Sequence, residues 1–151
     1  MANYAAEDIL SNPENTLGLY GYTGKILRLN LTDRTTETIS TYRYVPKYLG
    51  GRALCNKIFW DEVEPGTGCF DPGNKLIYMT GATTGTGIPT GGRTDMTGIA
   101  ANNLPEQYSF SGIGGWLGTE LKFAGYDGLI IEGAAESPLY VVIDDDTVEF
   151  R

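Results

Sequence analysis

Glycine constrains this chain more than any other residue type. Twenty-one of its 151 residues are glycine, about twice the usual share. They gather between residues 50 and 133 instead of spreading as a linker would. Such clustering points to tight turns and close backbone approaches. The density peaks over Thr80–Asp127, TGATTGTGIPTGGRTDM…FSGIGGWLGTELKFAGYD, where glycines, threonines and one arginine, Arg93, fall into two loops. The first loop follows an apolar run, and the second opens a helix. Bare backbone of this kind brings N–H and C=O groups close to a ligand. A buried arginine beside it suits phosphate or another planar anion.

The rest of the composition narrows the chemistry. The length suits one domain, large enough to bury about 68–70% of its unfolded surface. A net charge of −8 argues against a nucleic-acid surface, because phosphate binding wants a basic stripe. The acids at Asp144–Asp146 and around Glu62 and Glu64 read as solvated surface. Cys55 and Cys69 are the two cysteines, and there is no histidine. Two thiols cannot supply four metal ligands, so the chain alone builds neither a zinc site nor an iron–sulfur cluster. Without histidine there is no serine–histidine or cysteine–histidine nucleophile. The start, MANYAAEDILSNPENT, lacks the basic and apolar regions of a secretory signal. No apolar run approaches the ~20 residues that span a membrane. The expected setting is cytoplasmic.

Periodicity gives an α+β pattern of many short strands and two helices. Residues 1–19 read as an arm, with a helical turn near Ala5 to Leu10, and residues 20–151 as one domain. Gly24 to Thr32 alternates apolar and polar residues and pairs as a hairpin with Thr35 to Ser40 across Asp33-Arg34. Val45 to Leu49 reads as a helical turn. Arg52 to Val63 has helical spacing, with Cys55 on its apolar face as core packing. Lys75 to Thr80 reads as a buried strand. Short strands are expected over Arg93–Thr97, Tyr108–Ser111, Gly128–Glu132, Leu139–Ile143 and Thr147–Phe150. A helix is expected over Trp116–Ala124, capped by Gly125.

Neither loop carries a nucleotide fingerprint. The first, GATTGTGIPTGGR, has no lysine where a phosphate loop needs one, and it misses the G-x-G-x-x-G spacing. Arg93 leaves this loop at the start of an expected buried strand. Buried arginine needs anionic partners; bound phosphates, a cluster or a structural carboxylate would each serve. The second loop, Ser111 to Gly115, precedes a helix whose free N–H groups suit an anion. Its carbonyls suit a hard cation such as magnesium. Glu120 reads as a ligand-facing acid or, more simply, as an exposed acid near a helix start.

The order and spacing of YGYTGKILRLNLT (20–32), YLGGRAL (48–54), NKLIYMTG (74–81), TGTGIPTGGR (84–93) and GGWLGTELKFAGYDGLIIEG (114–133) resemble the N-terminal domain of the tungsten-containing aldehyde ferredoxin oxidoreductases. The resemblance implies two β-sheets with a few short helices, forming a base beneath tungsten held by two pyranopterin dithiolenes. It places Arg93 between pterin and a [4Fe-4S] cluster. It implies that Thr90, Gly91, Gly92, Gly112, Ile113, Gly114 and Gly115 line the cofactor. The magnesium between the pterin phosphates would be held by a backbone carbonyl, at Gly112. Three features depart from the family. The segment TGIAANNLPEQYS after Arg93 differs, one residue is inserted before Gly114, and the second loop lacks the asparagine often found there.

Family members are several times longer, and their cluster cysteines lie in later domains. The expectation is therefore a fragment or, as the favoured reading, a small subunit, not catalytic alone, within a hetero-oligomer. Its large partner subunit would carry the [4Fe-4S] cluster, share the tungstopterin and complete the sheets left open at Phe150. The implied reaction is oxidation of an aldehyde with water to a carboxylic acid, with electrons leaving to ferredoxin or a similar carrier. Reduction of an aromatic acyl-CoA and a non-catalytic assembly module are the alternatives. No nucleic-acid or membrane partner is expected.

Overall fold

A computed structural model describes residues 20–45 and 47–151. The helical turn expected near Ala5 to Leu10 lies outside the described residues. The elements in chain order are β1 (Lys25–Asn30), β2 (Thr35–Ser40), a 3-10 turn (Thr41–Arg43), α1 (Gly51–Glu62), β3 (Lys75–Thr80), β4 (Thr94–Ala100), β5 (Gln107–Ile113), α2 (Leu117–Phe123), β6 (Gly128–Glu132), β7 (Val141–Asp144) and β8 (Thr147–Phe150). Six strands form one sheet in the order β2-β1-β6-β3-β4-β5, and β7 and β8 form a separate hairpin. The expected α+β class with two sheets is what the chain adopts.

Register follows from the alternation of apolar residues. β1 and β6 are parallel, with Leu27 opposite Leu129 and Leu29 opposite Ile131. All other pairings are antiparallel. One sheet face carries Ile26, Ile77, Met79 and Ile130 and is covered by Leu54, Cys55 and Ile58 of α1. The opposite face carries Leu27 and Leu29 and is covered by Leu121 of α2, Tyr126 and the inner side of the β7–β8 hairpin. Both faces are packed, so the central strands read as continuous apolar runs.

α1 starts on Gly50, which offers no capping side chain. The cap comes from elsewhere: the Asp95 carboxylate on β4 accepts the Arg52 N–H at 3.0 Å. An acceptor for an orphan N–H of the first turn is worth about 1 kcal/mol. The buried Leu54 and Ile58 contribute more, at ~1.5–3 kcal/mol for each fully buried aliphatic. Packing therefore holds α1, and Asp95 sets where it begins. At the other end Arg28 Nη2 donates to both Glu62 carboxylate oxygens, at 2.7 and 2.8 Å, and its Nη1 donates to Glu132 at 2.9 Å. Lys75 also bonds Glu132. Burial alone would raise the Glu132 carboxyl, but the Lys75 hydrogen bond and the Lys75 and Arg28 charges outweigh it and hold it below its ordinary range.

Several expected boundaries move. A 3-10 turn at Thr41–Arg43 adds to the expected elements; it precedes the turn read at Val45 to Leu49, where the Tyr48 N–H donates to the Tyr44 carbonyl at 3.0 Å. β4 and β5 each run to seven residues, because every position from Thr94 to Ala100 finds a partner between Ile113 and Gln107. The final hairpin begins at Val141 instead of Leu139, although its ladder reaches back through paired Tyr140 and Arg151 backbone bonds of 2.8 and 2.9 Å.

Candidate cofactor-facing site

The first glycine loop joins β3 to β4 and turns back beside the start of α2. Thr84, 2% exposed, closes its base. The Thr84 hydroxyl accepts the Gly81 N–H at 3.1 Å and donates to the Arg93 carbonyl at 3.5 Å. The loop then packs too closely for side chains. A Cβ on Gly91 would lie 2.9 Å from the Thr83 carbonyl oxygen, and one on Gly92 would lie 3.3 Å from the Gly115 oxygen. Thr90 adopts φ 68°, a left-handed conformation that strains a β-branched residue by about 1–3 kcal/mol. Strain of this kind is held by surrounding structure and gathers at ligand-binding turns.

The two loops meet around an open concavity of about 290 Å³ lined by Gly85, Gly87, Gly91, Gly92, Trp116 and Phe123, among others. Its rim is apolar and unshielded: Trp116 is 75% exposed, and Ile88 and Phe123 are also exposed. Gly114 opens onto empty space. So Gly91, Gly92, Gly114 and Gly115 sit where the two loops converge, with Thr90 in the turn beside them.

Three expectations are corrected here. Arg93 is exposed, not buried, and β4 starts one residue later, at Thr94. Among the described residues no ion pair includes it. This removes the structural-carboxylate explanation within the described chain. Its guanidinium lies across β5 instead, and a Cβ on Gly112 would stand 2.8 Å from its Nη1. Glycine at 112 is what leaves room for the arginine. Second, Ser111, Gly112 and Ile113 are not loop. They belong to β5, with Gly112 opposite Asp95 and Ile113 opposite Thr94, which confines the second loop to Gly114–Trp116. Third, α2 spans only seven residues, so its N-terminus is a weaker anion site than a long helix would give. Glu120 is exposed, as the simpler reading expected.

The sequence reading missed the group that holds this site in place. Lys122 and Asp127 form an ion pair at 2.6 Å, with side chains 6% and 3% exposed. Lys122 Nζ also donates to the Gly21 carbonyl at 2.6 Å. Asp127 accepts the Thr23 and Gly24 N–H groups at 3.0 and 2.9 Å and the Thr41 hydroxyl at 2.6 Å. Every donor aimed at this carboxylate is satisfied, as a buried charge requires. Burial first, and then the Asp127 charge, push the Tyr22 and Tyr42 phenols above their ordinary range. The available signal was a lysine beside the apolar Leu121, followed five residues later by an aspartate just past the Gly125 turn.

Neither cysteine has a catalytic setting. Cys55 is buried, donates weakly to the Ile77 and Asp95 carbonyls, and has its thiol pushed up to about 12 by burial and then by Asp95. Cys69 bonds Glu106 at 3.2 Å, and its thiol is also raised, by partial desolvation and then by Glu106. A raised thiol is a poor nucleophile at neutral pH. Among the described residues no group of three or more histidines, cysteines or carboxylates is placed to hold a metal ion. No helix of the described residues is long and apolar enough to cross a membrane.

This arrangement has clear relatives. Residues 26–151 match the family model for the aldehyde ferredoxin oxidoreductase N-terminal domain. A tungsten-containing aldehyde ferredoxin oxidoreductase of Pyrococcus abyssi (strain GE5 / Orsay) is 44% identical over 134 residues, covering 88% of this chain and 22% of that protein. An aliphatic sulfonate oxidoreductase, WOR-like subunit, of Pyrococcus furiosus is 37% identical over 139 residues, covering 88% and 21%. Among solved structures, the active-site complex BamBC of benzoyl coenzyme A reductase with 1,5-dienoyl-CoA superposes with a TM-score of 0.82. It is 36% identical and covers 87% of this chain and 20% of that one. The chain thus spans about a fifth of the length of these proteins. With the family model matched over residues 26–151 and the fold shared, the chain belongs to the aldehyde ferredoxin oxidoreductase family and corresponds to its N-terminal domain.

Proposed function

We propose that this chain lines one side of a tungsten–bis-pyranopterin cofactor in an oxidoreductase and helps to hold an accompanying magnesium ion. The observation that carries the reading is the convergence of the two glycine loops on an open concavity, with Arg93 exposed and without an ion pair among the described residues. These residues suit such a group. Gly91, Gly92, Gly114 and Gly115 present bare backbone, and Thr90 holds a strained turn. Arg93 offers a planar cation to phosphate or to an anionic cluster. β5 is an edge strand, which leaves alternate carbonyls unpaired, and its Gly112 and Ile113 are our candidates to face magnesium, Gly112 by its carbonyl.

When bound, tungsten and its dithiolenes would supply the redox chemistry, which the fold tunes and positions. Arg93 would stabilise negative charge, and Trp116, Ile88 and Phe123 would exclude water from the pterin edge. Two cysteines and no histidine mean that the [4Fe-4S] ligands come from polypeptide other than these residues. We assign those ligands, and the acid and base nearest the substrate, to a large partner subunit or domain. The reaction is oxidation of an aldehyde with water to a carboxylic acid, with ferredoxin or a similar carrier in the cytoplasm as the electron acceptor; the cluster would supply the electron-transfer chemistry. The likeness to a benzoyl coenzyme A reductase complex supports a second reading, reduction of an aromatic acyl-CoA.

Anaerobic purification of the native assembly tests this. Tungsten, iron and an oxidised-pterin fluorescence signal are expected to travel with the chain, and Arg93→Ala is expected to perturb the cluster's redox potential. Turnover of aldehydes against aromatic acyl-CoA separates the two reactions. A metal-free, pterin-free assembly indifferent to Arg93→Ala would make the chain an assembly module instead.

A further inference from the structure

The charge of this chain is segregated in a way that the cofactor site does not use. Residues 38–60 contain four cations, Arg43, Lys47, Arg52 and Lys57, and no acid. The other 128 residues hold seven cations and all nineteen acids. A chain of net charge −8 therefore carries one locally basic segment, and the fold turns much of it outward.

The outward side of α1 presents Arg52, Ala53, Asn56, Lys57 and Trp60. Their spacing of three and four residues puts them on one stripe, and the inward residues Leu54, Cys55 and Ile58 are fully buried. Between Tyr48 and Trp60, over the small Ala53, runs an open groove of about 450 Å³. Trp60 is 83% exposed, an unusual state for the largest apolar side chain. The cations around the groove are pre-arranged. Lys47 and Lys57 stand 5.6 and 5.9 Å from the Tyr48 ring centre. The Arg52 guanidinium lies 3.6 Å from the Phe110 ring centre. Stacking fixes its plane and leaves the fork of donors free for a carboxylate. The acids nearby are occupied: Asp61 bonds Lys57 at 2.5 Å, Glu62 is held by Arg28, and Asp95 caps α1.

We propose that this face docks an acidic segment of a separate protein, with carboxylates on Arg52 and Lys47 and an apolar side chain in the groove between Tyr48 and Trp60, Lys57 being held by Asp61. Exposed tryptophan, tyrosine and arginine are the residues that carry interface energy. Charge complementarity to a local basic patch on an acidic protein selects the partner. A polynucleotide is a worse fit. Its charge density would meet a chain of net charge −8, and only the few cations of this segment would oppose that repulsion. An anionic membrane would need a larger basic field for the same reason.

The test uses the full chain and a synthetic peptide repeating Glu-Glu-Leu, read by the two tryptophan indole N–H resonances. Saturable movement of the Trp60 resonance is expected while that of Trp116 stays in place. Raising the salt concentration weakens the binding. Paired Lys47→Glu and Arg52→Glu changes, followed at the Trp60 resonance, lower affinity about tenfold or more, and Trp60→Ala does the same when binding is followed by isothermal titration calorimetry. These residues are on the surface, and circular dichroism checks that each variant keeps its fold. The proposal is overturned if a Gln-Gln-Leu peptide binds equally well, if the Trp116 resonance responds instead, or if no saturable response appears. Tighter binding of single-stranded DNA or of phosphatidylserine vesicles would also overturn it, by naming a different occupant.

Discussion

Asp127 is the single residue on which most of the site's geometry depends. Its carboxylate gathers Lys122, two backbone N–H groups and the Thr41 hydroxyl, while its carbonyl accepts the Thr80 N–H and hydroxyl at 2.9 and 2.7 Å. Asp127→Ala orphans four donors, one of them a buried ammonium, and is expected to cost ~3–5 kcal/mol. Lys122→Met leaves the carboxylate with three of its four donors and should cost clearly less. Urea titration of the full chain measures both. Equal losses, or the reverse order, would mean that the lysine dominates the cluster. Residue-scale reading of the sequence found Arg93 and the glycines because their chemistry is unusual in any context. It gave Arg93 the wrong burial, since exposure depends on how a guanidinium lies across Gly112 from a neighbouring strand. It passed over Lys122 because a lysine in a helix ordinarily reads as solvated.

Among the elements, α2 is placed by what it lacks. Gly118 faces β4, and a methyl group there would overlap the Thr94 hydroxyl and press on the Thr84 side chain at 3.1 Å. Both threonines are buried, and Thr84 closes the first glycine loop. Gly118→Ala is therefore expected to push α2 off the sheet, lowering stability by ~1–3 kcal/mol and loosening Gly85, whose Cβ position lies 3.2 Å from Lys122 Cβ. Hydrogen exchange should speed up at residues 81–92 while β1 and β2 are unaffected. A change confined to α2 would separate the loop from the helix. The hairpin β1–β2, helix α1 and strand β3 were legible because their apolar periods are local. The true lengths of β4 and β5 were not, because seven-residue pairing overrode sequences rich in glycine, serine and threonine. The start of α1 was equally hidden, since its cap is an aspartate from a different strand.

At the scale of the whole molecule, the two-sheet α+β architecture follows from strands apolar on both faces with only two helices to cover them. What periodicity could not supply was the order of strands. β6, late in the sequence, lies between β1 and β3 and runs parallel to β1. The ion pair at its entrance reaches back to Gly21 across 101 residues. That placement has a kinetic meaning. The β1–β2 and β4–β5 hairpins join neighbours and can form early, but neither can be sealed into one sheet until β6 arrives. Loop-closure entropy must be overcome before the pairing that offsets it, so the chain belongs among slow, topology-limited folders. During synthesis the flank of β1 waits as an open, apolar edge for most of the chain's length, and that of β3 for a shorter stretch, which is when aggregation competes. A chain truncated after residue 125 is expected to stay unfolded by circular dichroism and to gain structure when a peptide of residues 126–151 is added. A truncated form that folds alone would show that β6 is dispensable, and that the preceding strands need no clasp from the last segment.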